Sequence, residues 1–305
     1  MELYIGTLVI ACIPVALFLI SRRLLKSVKS VKDKVVLITG ASSGLGEECA
    51  KVFYENGAVI VLCARRKAEL ERVRQSLLDN PKITADPKRI ILQELDLEKS
   101  GYLNTIVQRI ISKTSTIDIL INNAGVSYRG VAHETELSVF SKLLKVNVLG
   151  TVELTTSVLQ HMIEKESGHI VNVSSVQGKI AIPYRSAYAA SKHALHAYSD
   201  SLRAEVSSKG IQVSVIAPAY IRTNLSVNSV TSSGEKHAVM DATTAKGMHP
   251  RYVAQVILSM VKDEKREVIL APFHHRLAII LRAVYPSMYF RIMNMRATKE
   301  ENSYA

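Results

Sequence analysis

Tyr188 and Lys192 stand four residues apart in Ala- and Ser-rich sequence, and Ser175 lies thirteen residues before the tyrosine. On a helix, that spacing puts the phenol and the ammonium on one face. A fixed positive charge beside a phenol favours phenolate and lowers its pKa towards neutrality, so the tyrosine becomes a proton donor and acceptor near pH 7. A serine hydroxyl arriving from a strand end could hold a substrate oxygen beside it. Alone, Tyr-x-x-x-Lys is a common surface-helix pattern. Its weight depends on the elements that position it.

Those elements alternate. Apolar, β-branched runs of buried-strand type occur at Val35 to Thr39, Ala58 to Cys63, Ile90 to Glu94, Asp118 to Ile121, His169 to Ser174, Ile211 to Ala217 and Glu267 to Leu270. Helical stretches fall between them, at Glu47 to Asn56, Leu70 to Leu78, Leu103 to Ser112, Leu137 to Met162 and Ser186 to Ser207, and another opens at His249-Pro250. This predicts an α/β fold, a single Rossmann-like doubly wound parallel sheet of about seven strands with helices on both faces. Ligands then sit at the carboxyl ends of the strands, where Asp96, Asn122, Gly125 and Ser175 fall.

The first strand runs into Gly40-Ala-Ser-Ser-Gly44-Leu-Gly46 and then a helix, the context in which backbone amides and a helix N-terminus attract a pyrophosphate. The second strand ends in Ala64-Arg65-Arg66, without the acid that would accept an NAD ribose hydroxyl. A guanidinium there can bind a 2′-phosphate, which argues for NADP(H) and for Arg65 as its partner, with Arg66 a lesser candidate. Asn147 lies within a predicted helix, where an asparagine is ordinarily solvated or capped. Asn224 to Met248 is long for a connection and poor in periodic apolar residues, as a substrate lid or a partly disordered loop would be.

These motifs together resemble the short-chain dehydrogenase/reductase superfamily, in its single-domain branch, over Lys32 to Pro272. The matching strings are Thr39 to Gly46, Asn122 to Gly125, Asn147, Ser175, Tyr188-Ala-Ala-Ser-Lys192 and Pro218 to Thr223. The resemblance implies an NADP-dependent oxidoreductase acting on CH–OH groups. It implies that Gly40, Ser42, Ser43, Gly44 and Leu45 surround the pyrophosphate and that Arg65 meets the 2′-phosphate. Asp96 and Leu97 would border the adenine, and Asn123, Ala124 and Gly125 the ribose side. Ile221 and Thr223 would hold the nicotinamide amide. Tyr188 would be the proton donor and Ser175 would position the carbonyl. Lys192 would lower the tyrosine's pKa and hold the nicotinamide ribose, with Asn147 supporting Lys192 through water. It also implies a homodimer paired through the helices after the fourth and fifth strands, with a membrane-anchored monomer as the alternative. One departure stands out: Pro218-Ala219 replaces the usual Pro-Gly, which would strain the backbone if that glycine uses positive φ.

The chain has 305 residues, 48% of them hydrophobic, enough for one large domain plus appendages. It divides into 1–21, a membrane anchor, 22–33, a basic juxtamembrane linker, 34–272, the NADP(H)-binding domain, and 273–305, an apolar and basic extension. Leu3 to Ile20 carries no charge and as a helix spans about 27 Å, close to the hydrocarbon thickness. The positive charges follow this run rather than precede it, which reads as an uncleaved signal-anchor with the domain in the cytosol. Endoplasmic reticulum is the expected membrane and the peroxisome the alternative. Use of the sequon at Asn224 would instead mean a lumenal domain.

The net charge of +12 concentrates at Arg22 to Lys34 and around Arg276, Arg282, Arg291 and Arg296, beside apolar segments. A membrane surface explains this better than nucleic acid, for which there is no motif. Leu277 to Met293 suits either a membrane interface or packing on the core or on a dimer partner. The three cysteines have no metal or disulfide spacing. The expected substrate is a lipid-soluble carbonyl or alcohol: a steroid, a retinoid or a glycerolipid ketone. The rival reading is a membrane-tethered NADP(H)-binding sensor or scaffold, against which the set Asn147, Ser175, Tyr188 and Lys192 argues.

Overall fold

The strand that carries the glycine turn, β1 (Val35–Thr39), is buried along its whole length and lies third in order inside a seven-stranded sheet. The computed structural model describes residues 29–81 and 83–300. The anchor read over 1–21 and residues 22–28 of the basic linker lie outside the described residues. Among the described residues, no helix is long and apolar enough to cross a membrane. From Val31 on, the chain forms one compact unit.

The remaining strands are β2 (Val59–Ala64), β3 (Ile90–Glu94), β4 (Ile119–Asn122), β5 (Gly168–Val173), β6 (Ile211–Pro218) and β7 (Glu267–Leu270). Their order is β3-β2-β1-β4-β5-β6-β7, and every neighbouring pair is parallel. Alternation along β1 divides the core in two. Val36 and Ile38 face one apolar layer, with Phe53, Leu70 and Ile257. Val35 and Leu37 face the other, with Leu103, Val158 and Leu202. The first layer is covered by α1 (Gly44–Glu55), α2 (Lys67–Leu78) and, beyond β6, the helix at Pro250–Asp263. The second is covered by α3 (Leu103–Thr114) and by helices that follow β4 and β5. Cys49 and Cys63 are buried in these layers, and burial pushes both thiols up.

The stretch predicted as one helix from Leu137 to Met162 is two, α4 (Leu137–Leu144) and α5 (Gly150–Glu164), joined by a π turn at Lys145–Leu149. Asn147 sits in that turn and is buried, not solvated as its mid-helix position suggests. A π turn widens the helix locally and is a frequent site device. The predicted helix after Ser186 is α6 (Ser186–Val206). Segment 224–248 contains one short helix, α7 (Ala242–Ala245), followed by α8 (Pro250–Asp263). The chain ends with α9 (Phe273–Val284) and α10 (Pro286–Glu300).

The strand order reverses between β1 and β4, so the crevice for a ligand opens at their carboxyl ends. The two turns there are stitched together. The Thr39 hydroxyl accepts from the amides of Asn123 and Ala124 at 3.0 Å each, and the Asn123 amide side chain donates to the Thr39 carbonyl at 2.9 Å.

Candidate active site

Gly40 has φ of +65° and Gly44 +59°, values that side-chain-bearing residues rarely adopt. A Cβ on Gly46 would lie 2.3 Å from the Gly40 carbonyl, so α1 approaches the turn as only glycine allows. Ser43 caps α1 without a side-chain bond to an amide. The first-turn amides of α1 are therefore oriented for an external acceptor, and a phosphate fits that role. Thr223 overhangs this turn, because a Cβ on Gly44 would meet its Cγ2 at 3.1 Å. Ile221 pairs with Met248 and the Thr223 amide donates to the Ile221 carbonyl at 2.8 Å, which fixes the segment. Ala219 takes no positive φ, so the departure from Pro-Gly introduces no strain there.

Arg65 lies exposed just past β2. Arg66 engages the glycine turn instead, its Nη2 donating to Ser42 Oγ at 3.2 Å. Arg72, which the sequence reading did not single out, donates to the Ser42 carbonyl at 3.1 Å and pairs with Glu47 at 2.8 Å. Burial raises the Glu47 pKa, but hydrogen bonds from Arg72 and Lys51 outweigh it and leave the carboxyl below its usual value. Its negative charge at the mouth of the phosphate cradle is thus neutralised. Asp96 lies half-buried at the end of β3, with the Glu98 amide on its Oδ1 at 3.1 Å, and Leu97 is buried beside it. Asn123, Ala124 and Gly125 are partly open at the end of β4. Asn122 turns inward, donating to Thr155 and to Asn172 at 2.9 and 2.8 Å, and serves the core.

The proton-handling groups converge beyond β5. Ser175 follows β5, and its hydroxyl accepts from the Gln177 amide at 3.2 Å. Tyr188 lies in the first turn of α6, buried, with its hydroxyl bonded to Ser175. Its ring packs with Tyr128, Val139, Leu143, Ala187 and Val230. Lys192 is buried one turn on, and its Nζ donates to the Val173 carbonyl at 3.0 Å. Asn147 accepts from the Val126 amide at 2.8 Å, donates to the Val126 carbonyl at 2.9 Å and donates to Ser191 Oγ at 3.0 Å. A Cβ on Gly125 would stand 3.1 Å from Asn147 Oδ1 and 3.6 Å from Lys192 Nζ, so these three meet at one point. Asn147 thereby fixes the backbone after β4 and the serine adjoining Lys192.

The electrostatics differ from the sequence expectation. Lys192 Nζ lies 5.8 Å from the Tyr188 ring centre, aimed at the Val173 carbonyl. Burial is the largest effect on Tyr188 and pushes the phenol up, while the Ser175 hydrogen bond and the Arg129 charge pull it back only in part. The net direction is upward, not towards neutrality. Burial also pulls the Lys192 ammonium down, to about 8. Enclosure in apolar surroundings penalises both charged forms. Arg129, at the turn after β4 in the string Ser127-Tyr-Arg-Gly130, is buried, and its residue type alone assigns it no role in the sequence.

A family model described as short chain dehydrogenase matches residues 34–233. The chain is 47% identical over 271 residues to a Danio rerio protein named dehydrogenase/reductase SDR family member 7B, covering 89% of this chain and 88% of that protein. Among solved structures, it superposes on a short chain dehydrogenase/reductase from Burkholderia phymatum in complex with NAD, with a TM-score of 0.74 at 22% identity, over 85% of this chain and 96% of that one. A metagenomic short-chain oxidoreductase in complex with NADP matches with a TM-score of 0.64 at 25% identity, over 80% and 99% of the two chains.

Proposed function

This chain belongs to the short-chain dehydrogenase/reductase family of oxidoreductases, and from that premise we propose that it interconverts a carbonyl and an alcohol on a lipid-like substrate with NADP(H), using Tyr188 as proton donor and acceptor. The observation that carries the reading is the buried Tyr188 phenol bonded to Ser175, with Lys192 and Asn147 gathered beside it at the carboxyl edge of the sheet.

The glycine turn from Gly40 to Leu45 would hold the pyrophosphate, and Ile221 and Thr223 the nicotinamide end. The dinucleotide supplies or receives the hydride. In reduction, Ser175 and Tyr188 hydrogen-bond the carbonyl oxygen, which gathers negative charge as its carbon is reduced. Tyr188 gives its proton to that oxygen, leaving a phenolate beside Lys192 that regains a proton from solvent. A phenol held protonated by burial is in the right form to donate at neutral pH.

Arg66 on Ser42, Arg65 beside it and the absence of an acid after Ala64 support NADP(H) over NAD(H). Replacing Arg65 and Arg66 with alanine is expected to weaken NADPH binding about 10–100-fold while leaving NADH nearly unchanged, since a charge-assisted bond to phosphate is worth about 1.5–3 kcal/mol. Fluorescence titration of both nucleotides checks this, and equal losses for both would contradict it.

The C-terminal helices support a lipid substrate and a membrane partner. No residue of α9 is buried, and Phe273, Leu277, Ile280, Val284 and Tyr285 stand exposed among Arg276, Arg282 and Arg291. α10 buries only Tyr289, whose hydroxyl donates to the Ala181 carbonyl, and the Tyr184 hydroxyl reaches the Ala297 carbonyl. A cavity of about 290 Å³, lined by Ile180, Ile182, Arg282, Phe290 and Met293, separates α10 from the segment leading to α6. An apolar face studded with arginines suits an anionic lipid surface. The protein has no tryptophan, so a single introduced one reports depth. In full-chain protein on phosphatidylserine vesicles with brominated acyl chains, tryptophan fluorescence is expected to be quenched for Phe273→Trp and not for Tyr252→Trp on α8. Unquenched Phe273→Trp would contradict membrane contact.

Localisation follows the 1–21 anchor and the basic residues after it: a single-pass membrane protein of the endoplasmic reticulum, or of the peroxisome, with its domain in the cytosol. Pairing of two copies through the helices after β4 and β5 belongs to the same proposal, and the exposed Leu137 and Leu149 support it.

A further inference from the structure

Tyr188, Lys192 and His196 follow one another at four-residue spacing on α6, so they share a face. The segment leaving β5 meets that face step by step. The Lys192 ammonium donates to the Val173 carbonyl at 3.0 Å, and the Ser174 hydroxyl donates to the Lys192 carbonyl at 3.5 Å. Tyr188 meets Ser175. One turn beyond Lys192, the His196 ring meets Gly178. A Cβ on Gly178 would lie 2.2 Å from His196 Cδ2, 2.7 Å from its Nε2 and 2.8 Å from the Lys192 carbonyl oxygen, so the glycine rests against the ring and the helix backbone alike. Gly178 closes the short 3-10 turn that Ser175 begins. Its amide donates to the Ser175 carbonyl at 2.9 Å, and the Gln177 amide donates to the Ser175 hydroxyl at 3.2 Å.

We infer that His196 is a positioning residue: its ring is the surface on which the Ser175 turn rests at Gly178, and that contact holds the Ser175 hydroxyl in place against α6.

The mechanism gives His196 no proton to move. It is buried, and among the described residues neither ring nitrogen has a hydrogen-bond partner. Its Nδ1 stands 3.6 Å from the Glu267 carboxylate at the start of β7, which pairs with Lys179 at 2.7 Å. Burial, and next the Lys179 charge, hold the imidazole down to about 4, so the ring is neutral at pH 7 and works by its shape. An aliphatic side chain of similar volume can therefore replace it, whereas a small one leaves a gap under the turn. The gap matters at the site because a displacement of about 1 Å in a positioned group can cost about a hundredfold in rate. Lys192 fixes the near end of the 173–178 segment through its ammonium and carbonyl, and His196 fixes the far end. Ser175 lies between these two supports.

The inference rests on the reading of Ser175 as the group that holds the substrate oxygen, and one of its two measurements needs no turnover. Hydrogen exchange of the full-chain protein is read by mass spectrometry on peptides covering 173–180. It is expected to quicken at least about tenfold in His196→Ala and to match the wild type in His196→Leu. Peptides covering the glycine turn, 39–46, are expected to be unchanged in both. The second measurement is kcat with NADPH and a panel of lipophilic methyl ketones. His196→Ala is expected to lower kcat about 10–100-fold and Ser175→Ala about 100–1,000-fold, with NADPH affinity unchanged. In the Ser175→Ala protein, adding His196→Ala is expected to cost less than about twofold more, because the hydroxyl it positions is gone. A merely structural histidine would cost the same factor in both backgrounds. Equal losses in both backgrounds, unaltered exchange at 173–180 in His196→Ala, or His196→Leu as slow as His196→Ala overturns the inference. If His196→Ala does not fold, Gly178→Ala pushes the same contact apart from the other side and takes its place in both measurements. Full turnover by Ser175→Ala means that the serine reading fails, while the support of the turn stands or falls on exchange. No turnover by the wild type means that the proposed activity fails, and exchange again decides the support of the turn.

Discussion

Tyr188→Phe is expected to lose about three orders of magnitude in kcat, within the range that a positioned general acid contributes. The substitution removes one oxygen and leaves the ring in its cluster with Tyr128, Ala187 and Val230, so the fold is retained. The cost to stability is expected to be about 1 kcal/mol, from the lost bond to Ser175. The glycine turn and Thr223 are untouched, so NADPH affinity is expected to stay within about twofold, because the substitution adds no clash and removes no phosphate contact. NADPH oxidation against a panel of ketones, with NADPH titration by fluorescence, separates the two effects. Retained turnover would remove Tyr188 from the chemistry. Lost binding would mean that the phenol holds the cofactor rather than moving a proton.

Lys192→Met is expected to abolish turnover and yet raise stability at pH 7. Burial holds the Lys192 ammonium down to about 8, below the ordinary lysine value, because its charge is enclosed. Between about pH 8 and 10.5 the unfolded chain binds more protons at this site than the folded one, so stability rises with pH across that window. Below the window, the folded state carries the full cost of an enclosed charge. A methionine of similar volume removes that cost, and a gain of about 1–3 kcal/mol at pH 7 is expected, together with loss of the pH-dependent rise. Denaturant melts of both proteins at pH 7 and pH 10 measure this. A destabilised Lys192→Met at pH 7 would show that the ammonium is a structural tie to the Val173 carbonyl. Retained activity would show that turnover does not need the Lys192 ammonium.

The fold was legible because its signals are local. Five consecutive apolar or β-branched residues, Val35 to Thr39, followed by a glycine turn and a helix, read as an interior strand of a parallel sheet, and all five are buried. Strand ends differed by a residue or so, as at β2, where pairing begins at Val59 rather than Ala58. Asn147 was legible as a residue type and position but not as a buried group, since its hydrogen-bond partners Val126 and Ser191 lie 21 and 44 residues away in sequence. The direction of the Tyr188 shift was misjudged for a similar reason. Spacing on a helix shows that an ammonium is near, whereas enclosure and the aim of that ammonium come from distant residues such as Val173 and Val230. Arg66 and Arg129 show the same limit. A guanidinium's partner lies wherever the chain folds back, and Ser42 and Asp241 are far from them in sequence.

The most direct test supplies the full-chain protein, reconstituted in lipid vesicles, with NADPH deuterated at nicotinamide C4 and a mixture of lipophilic ketones. Mass spectrometry then asks whether deuterium reaches carbon in the alcohols formed. Deuterated alcohol is expected with wild-type protein and about a thousandfold less with Tyr188→Phe. Equal deuterium incorporation by the two proteins, or none by either when NADPH is bound, would contradict the account.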